Sequence, residues 1–165
     1  MKIRPATPDD IPHMIAIERA SETAAHWGEA QYRALFAADV VSRMVLVADI
    51  SEQDVISRSS CNRLCGFIVA RTVGHDWEVE NVVVQREIRR SGIGTQLLEA
   101  ILDLGRARDC GRVFLEVRES NEPARKLYEK SGFREIGTRR SYYENPKENA
   151  IVLQLEISNG ALENA

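Results

Sequence analysis

The sequence predicts an α+β domain, built on a mixed β-sheet of about seven strands with about four helices. Three observations carry that prediction. Short apolar or alternating runs recur along the chain at strand length. A long amphipathic stretch, Ser91 to Arg108, stands between two of them as the helix of a βαβ crossover. The remaining strands follow one another without a helix of that length, which is the pattern of antiparallel hairpins.

Lys2 to Ala6 reads as a short first strand, and Thr7-Pro8-Asp9-Asp10 combines a capping residue, an early proline and two carboxylates, the signature of a helix start. Ile11, Met14, Ile15 and Ile17 to Glu18 then carry a stripe at helical spacing. A turn at Ala25-His26-Trp27-Gly28 precedes a second helix over Glu29 to Ala38, with Tyr32, Leu35 and Phe36 inward. Met44 to Ala48 and Leu64 to Val73 are strands separated by a long polar hairpin, Asp49 to Arg63. Trp77 to Val84 is the next strand and ends in Val82-Val83-Val84. The long helix follows, with Ile93, Leu97, Ile101 and Leu104 on one face. Arg112 to Arg118 is a strand, Asn121 to Ser131 a helix with Pro123 in its first turn, and Gly132 its stop. Two further strands close residues 1–157, the last from Ala150 to Ile157, and Ser158 to Ala165 is expected to be a flexible tail.

At 165 residues the chain has room for one domain, and a hydrophobic content of 44% suits a packed core. A net charge of -3 argues against a nucleic-acid partner, which would demand many phosphate-neutralising cations. No apolar run approaches a membrane span, so the expectation is a cytoplasmic protein with no membrane partner. Cys61, Cys65 and Cys110 do not form paired ligand spacings, and His13, His26 and His75 are scattered, so no metal is expected.

Arg89-Arg90-Ser91-Gly92-Ile93-Gly94-Thr95 joins a strand to the start of the long helix, where unpaired N–H groups and the positive helix end suit a pyrophosphate. The segment has no Gly-Lys-Ser/Thr and only two glycines, so it is neither a P-loop nor a dinucleotide fingerprint. Glu116 interrupts the otherwise buriable strand Val113 to Val117 from the opposite face, as a candidate base or as the ion-pair partner of Arg118 or Arg139. Tyr128, four residues after Ala124, combines a core-facing ring with a hydroxyl that reaches a cleft.

Asn81 to Val84, Arg89 to Thr95, Leu115-Glu116-Val117-Arg118, Ser120-Asn121, Leu127 to Phe133 and Arg140-Ser141-Tyr142-Tyr143 together resemble the GNAT acyltransferase superfamily, and within it the bacterial ribosomal-protein-alanine N-acetyltransferases. The resemblance implies a sheet splayed at a cofactor cleft and acetyl-coenzyme A as co-substrate. It implies Val82, Val83, Val84, Arg89, Arg90, Ser91, Gly92, Ile93, Gly94, Thr95 and Asn121 as cofactor-binding residues. Glu116 becomes the general base and Tyr128 the general acid, with Glu78 and Glu80 as rival bases; Trp27, Arg140, Tyr142 and Tyr143 become acceptor-binding residues. The acceptor implied is a protein or peptide N-terminus, a ribosomal protein among the candidates, and the enzyme a monomer or weak homodimer. Alternatives left open are a lysine or small-molecule acetyltransferase and a non-catalytic coenzyme A-binding module. Two departures stand out: Glu148-Asn149-Ala150 replaces the usual Glu-Asp-Ala, and the 49–63 hairpin is long.

Overall fold

The structure, a computed structural model, describes residues 1–21, 24–37, 43–50 and 64–157. Its strands are β1 (Lys2–Pro5), β2 (Arg43–Asp49), β3 (Leu64–Val73), β4 (Asp76–Val84), β5 (Arg112–Arg118), β6 (Arg134–Glu144) and β7 (Lys147–Glu156). Its α-helices are α1 (Ile11–Arg19), α2 (Glu29–Ala34), α3 (Ile93–Ala107) and α4 (Glu122–Lys130). The seven strands form one sheet in the order β1-β2-β3-β4-β5-β7-β6. β4 and β5 run parallel across the α3 crossover, whereas β1 with β2, β2 with β3, β5 with β7 and β6 with β7 pair antiparallel. This is the mixed α+β sheet that the sequence predicts. The chain divides into two compact units, the first Met1–Arg71 with Glu80–Ile101 and the second Thr72–Val79 with Leu102–Ala165.

In the first unit, Met14, Ile15, Tyr32, Val47, Phe67 and Val83 pack into one apolar cluster. Arg4 ties β1 to the entry of α1: its guanidinium donates to Asp10 at 2.8 Å and to Asp49 at 2.7 Å. Asp10 also accepts from the Thr7 amide at 2.8 Å, the reciprocal half of the cap expected there, and its Arg4 contacts hold the carboxyl below its ordinary range. Gly66 of β3 lies so close to β4 that a Cβ there would stand 2.9 Å from the Val83 carbonyl oxygen and 3.3 Å from Ile93 and Leu97. Because the crowded atom is backbone, relief requires moving a strand. Gly66→Ala is therefore expected to destabilise the protein by about 1–3 kcal/mol. In urea titrations the midpoint falls at an unchanged slope; an unchanged midpoint would show that β3 and β4 separate freely.

In the second unit, Val113, Leu115 and Val117 of β5 are buried while Phe114 and Glu116 are only half-buried, so Glu116 lies on the strand face that the alternation assigns. Glu116 pairs in register with Val152 of β7. β6 is an edge strand, exposed along its length except at Tyr143, and its register slips between Arg139 and Tyr143.

Two boundaries differ from the sequence expectation by three residues or more. The second helix stops at Ala34, and Leu35 and Phe36 continue as a turn while still packing on the apolar cluster, the inward positions expected of them. The last strand begins at Lys147 rather than Ala150, because backbone pairing with Tyr143 and Glu144 across a tight turn extends a polar stretch that shows no alternation. Most of the 49–63 hairpin, Cys61 and the 158–165 tail lie outside the described residues.

Candidate active site

The turn between β4 and α3 lies wholly in the first unit. Val83 is buried, with Val82 and Val84 half-buried, and a single 3-10 turn (Arg86–Ile88) leads on to Arg89. The Arg89 guanidinium donates to the Val84 carbonyl at 3.1 Å and to the Ser21 hydroxyl at 2.9 Å, while the Ser91 hydroxyl donates to the Ile88 carbonyl at 2.6 Å. Arg90 (φ 67°) and Gly92 (φ 85°) take left-handed conformations, which bend the main chain sharply into the helix. The Gln96 amide bonds back to Gly92 at 3.0 Å, so the amides of Ile93, Gly94 and Thr95 precede the first intrahelical bond. They lie at the positive end of a 15-residue helix, an arrangement that holds an anion by main-chain donors. Arg89 and Ser91 shape this turn through their own contacts. Trp27 is half-buried elsewhere in the unit, its ring 5.7 Å from that of Tyr32.

The second unit holds Glu116, Tyr128, Asn121, Arg140, Tyr142 and Tyr143. Glu116 lines a cavity of about 210 Å³ with Asp76, Glu78, Phe114, Arg139 and Val152. Its carboxylate lies 2.9 Å from Arg139 Nε, and its side chain keeps 17% of its surface exposed, enough to meet an incoming group. The Tyr142 hydroxyl is pushed up first by its hydrogen bond to Glu116 and then by burial. The Tyr142 ring stands edge-on to Tyr143 at 5.1 Å, and the Arg118 guanidinium caps Tyr143 at 4.0 Å. Burial first, and then the Glu116 charge, push Tyr143 up to about 12. Tyr128 is 7% exposed, and burial followed by the neighbouring Tyr143 raises its hydroxyl well above the usual phenol range. Glu116 and Tyr128 thus each lie within electrostatic reach of Tyr143. Arg118 itself pairs with Glu148 at 2.7 Å and reaches the Asn145 and Pro146 carbonyls, which pins the β6–β7 turn.

Of the alternatives left open by the sequence, Arg139 rather than Arg118 is the partner of Glu116. Asn121 caps α4, its Oδ1 accepting from the Ala124 amide at 3.3 Å. Arg140 is exposed on β6. Asn149, where the resemblance leads one to expect Asp, accepts from the Ser141 amide and donates to Glu119, each at 3.0 Å; an Asp would place a second negative charge against Glu119. Cys65 and Cys110 are buried, and burial raises the Cys110 thiol, which leaves neither suited to nucleophilic attack. Among the described residues no three His, Cys, Asp or Glu side chains gather as a metal site, and no helix is long and apolar enough to cross a membrane.

Residues 14–133 match the acetyltransferase (GNAT) family. The chain belongs to that family. It is accordingly an N-acetyltransferase of the GNAT fold, in keeping with the resemblance read from its motifs. The [ribosomal protein bS18]-alanine N-acetyltransferase of Salmonella typhimurium strain LT2 is 36% identical over 99 residues, covering 59% of this chain and 67% of that protein. The crystal structure of the ribosomal-protein-S18-alanine N-acetyltransferase from Escherichia coli superposes with a TM-score of 0.76 at 28% identity, covering 99% of this chain and 97% of that one. The NatC complex bound to Gag peptide and CoA shares the fold, with a TM-score of 0.77 at 20% identity over 96% of this chain and 100% of that one.

Within this GNAT acetyltransferase the rival carboxylates separate by their contacts. Glu80 is gripped by Arg43 at 2.8 and 3.1 Å and lies 3.5 Å from Arg71, whereas Glu78 shares the cavity with Glu116. Sequence reasoning placed Glu18 in the α1 stripe and Asn81 in the strand before the turn without giving either a role of its own, and passed over Gly66. A carboxylate inside the inward stripe of α1 was the available signal for Glu18; Gly66 carried none, because close approach of two strands is invisible without the fold.

Proposed function

We propose that this acetyltransferase moves the acetyl group of acetyl-coenzyme A onto the α-amine of a protein N-terminus, by direct attack within a ternary complex. The observation that carries the proposal is the pairing of functions in the second unit: an accessible carboxylate, Glu116, held by Arg139, and a buried phenol, Tyr128, with a proton to give. The main-chain amides of Ile93, Gly94 and Thr95, with the sharp bends at Arg90 and Gly92, fit the coenzyme diphosphate. A protonated α-amine has no lone pair, so Glu116 takes its proton, directly or through a water. The amine nitrogen then bonds to the thioester carbonyl carbon. Collapse of the tetrahedral adduct breaks the C–S bond as Tyr128 gives its proton to the departing thiolate; the second proton of the former amine leaves the nitrogen and restores the Tyr128 phenol through water, and Glu116 releases the first proton to solvent. Buried Cys65 and Cys110 offer no acyl-enzyme route.

The acceptor class is supported by the Salmonella and Escherichia relatives, both named as alanine N-acetyltransferases of a ribosomal protein. Three carboxylates line the Glu116 cavity, Asp76, Glu78 and Glu116 itself; with Arg139 paired to Glu116 and Arg112 paired to Asp76, one negative charge remains in excess, which favours an ammonium group on the acceptor. The test is a peptide panel headed by Ala, Ser, Gly or Met, each with an internal lysine, incubated with acetyl-coenzyme A and read by fragment mass spectrometry. Acetyl on the α-nitrogen, fastest with Ala, is expected. Acetyl on the lysine nitrogen, or no coenzyme A release with any peptide, would overturn the proposal.

A further inference from the structure

Glu18 is fully buried, where loss of hydration opposes a carboxylate. It sits in the last turn of α1, where the helix dipole disfavours negative charge, and its hydrogen bonds run to neutral groups rather than to a cation. One oxygen accepts from the Trp27 amide at 3.0 Å, and the other accepts from the Asn81 side-chain amide at 2.7 Å. The buried Tyr32 hydroxyl beside it is raised, by burial first and by Glu18 second. Asn81 is the residue of β4 that precedes Val82. On the other side of the valine triplet, Ser21 receives Arg89, which also holds the Val84 carbonyl. The end of α1 and the chain just beyond it are thus bolted to β4 at both ends of Val82–Val84, and to the turn that opens α3.

We infer that Glu18 is a positioning residue for coenzyme binding: through Asn81, with Ser21 and Arg89 as the second bolt, it fixes β4 and the α3 turn in the geometry that receives the coenzyme. The inference rests on the proposed function, because it takes that turn to be the coenzyme site.

Two substitutions cut the Glu18 bolt while changing charge in opposite directions. Asn81→Asp sets two carboxylates face to face, and Glu18→Ala removes one. Each is expected to weaken coenzyme A binding about tenfold by calorimetry, the scale of one broken buried hydrogen bond to a charged group. A simple charge effect would weaken binding in the first variant and tighten it in the second. The double variant Glu18→Gln with Asn81→Asp exchanges donor and acceptor: the amide introduced on α1 donates to the carboxylate introduced on β4, and its oxygen still accepts from the Trp27 amide. It is expected to restore affinity to within about threefold of the starting protein, along with the hydrogen-exchange protection of the Trp27 amide.

A fall in melting temperature with unchanged coenzyme affinity in both single variants would overturn the inference, since a purely structural role predicts that result. So would a double variant no better than the single ones in folding, exchange protection or affinity. Failure of the unaltered protein to bind coenzyme A contradicts the proposed function instead, and the exchange protection of Trp27 still reports on the bolt.

Discussion

Glu116→Gln lowers turnover about 10²- to 10⁴-fold at pH 7, the range expected for loss of a positioned general base. Gln fills the same space beside Arg139 and still offers it an acceptor oxygen, so the 2.9 Å contact seen in the structure has a counterpart and the fold is not at issue. What is lost is the ability to take the proton of the incoming ammonium. An α-amine has a pKa of about 8, so at pH 7 roughly nine-tenths is protonated and at pH 9 nearly all is free. The deficit therefore shrinks as pH rises from 7 to 9, and a plot of the kcat ratio against pH checks it. A deficit of equal size at both ends would assign Glu116 to binding and leave the base elsewhere, with Glu78 the next carboxylate in the same cavity.

Tyr128→Phe slows transfer by about 10- to 100-fold. The smaller figure follows from the leaving group: an alkyl thiol has a pKa of about 8.5, so its thiolate departs tolerably without assistance, unlike an amine forced to attack while protonated. Burial raises the Tyr128 phenol, so it keeps its proton throughout the range in which the enzyme is assayed. Coenzyme A affinity, measured by calorimetry, is expected to stay within about twofold, because the substitution removes one oxygen from a ring that packs at 5.8 Å against Phe133 and keeps that contact. Loss of binding in place of loss of rate would make Tyr128 a packing residue.

The parts of this molecule legible in its sequence are those written in local patterns. The α3 stripe of Ile93, Leu97 and Ile101, the β5 alternation that puts Glu116 on the face away from Val113 and Leu115, and the proline and caps of α4 each follow from spacing alone. The first strand and both partners of the βαβ unit follow in the same way. Contacts between segments distant in the chain were not legible. Spacing left Glu116 with two possible arginines, and only the folded sheet decides: Glu148 of β7 takes Arg118, while Arg139 of β6 reaches Glu116. Glu80 looks equivalent to Glu78 in sequence, two residues apart on one strand face, until Arg43, 37 residues away, takes it. The bolt from Glu18 to Asn81 spans 63 residues and leaves no local trace beyond a carboxylate among apolar neighbours. The polar start of β7 was missed because register with β6, and not hydrophobicity, makes Lys147 to Asn149 a strand.

The most direct test is an amide NMR titration of the unaltered protein with acetyl-coenzyme A. Saturable shifts of the Ile93, Gly94 and Thr95 amides and of Val82 to Val84 are expected at one equivalent, together with perturbation of Glu116 and the Tyr128 ring. Saturation with those resonances unmoved and shifts confined to other residues, or no shift at all, would contradict the proposed coenzyme site.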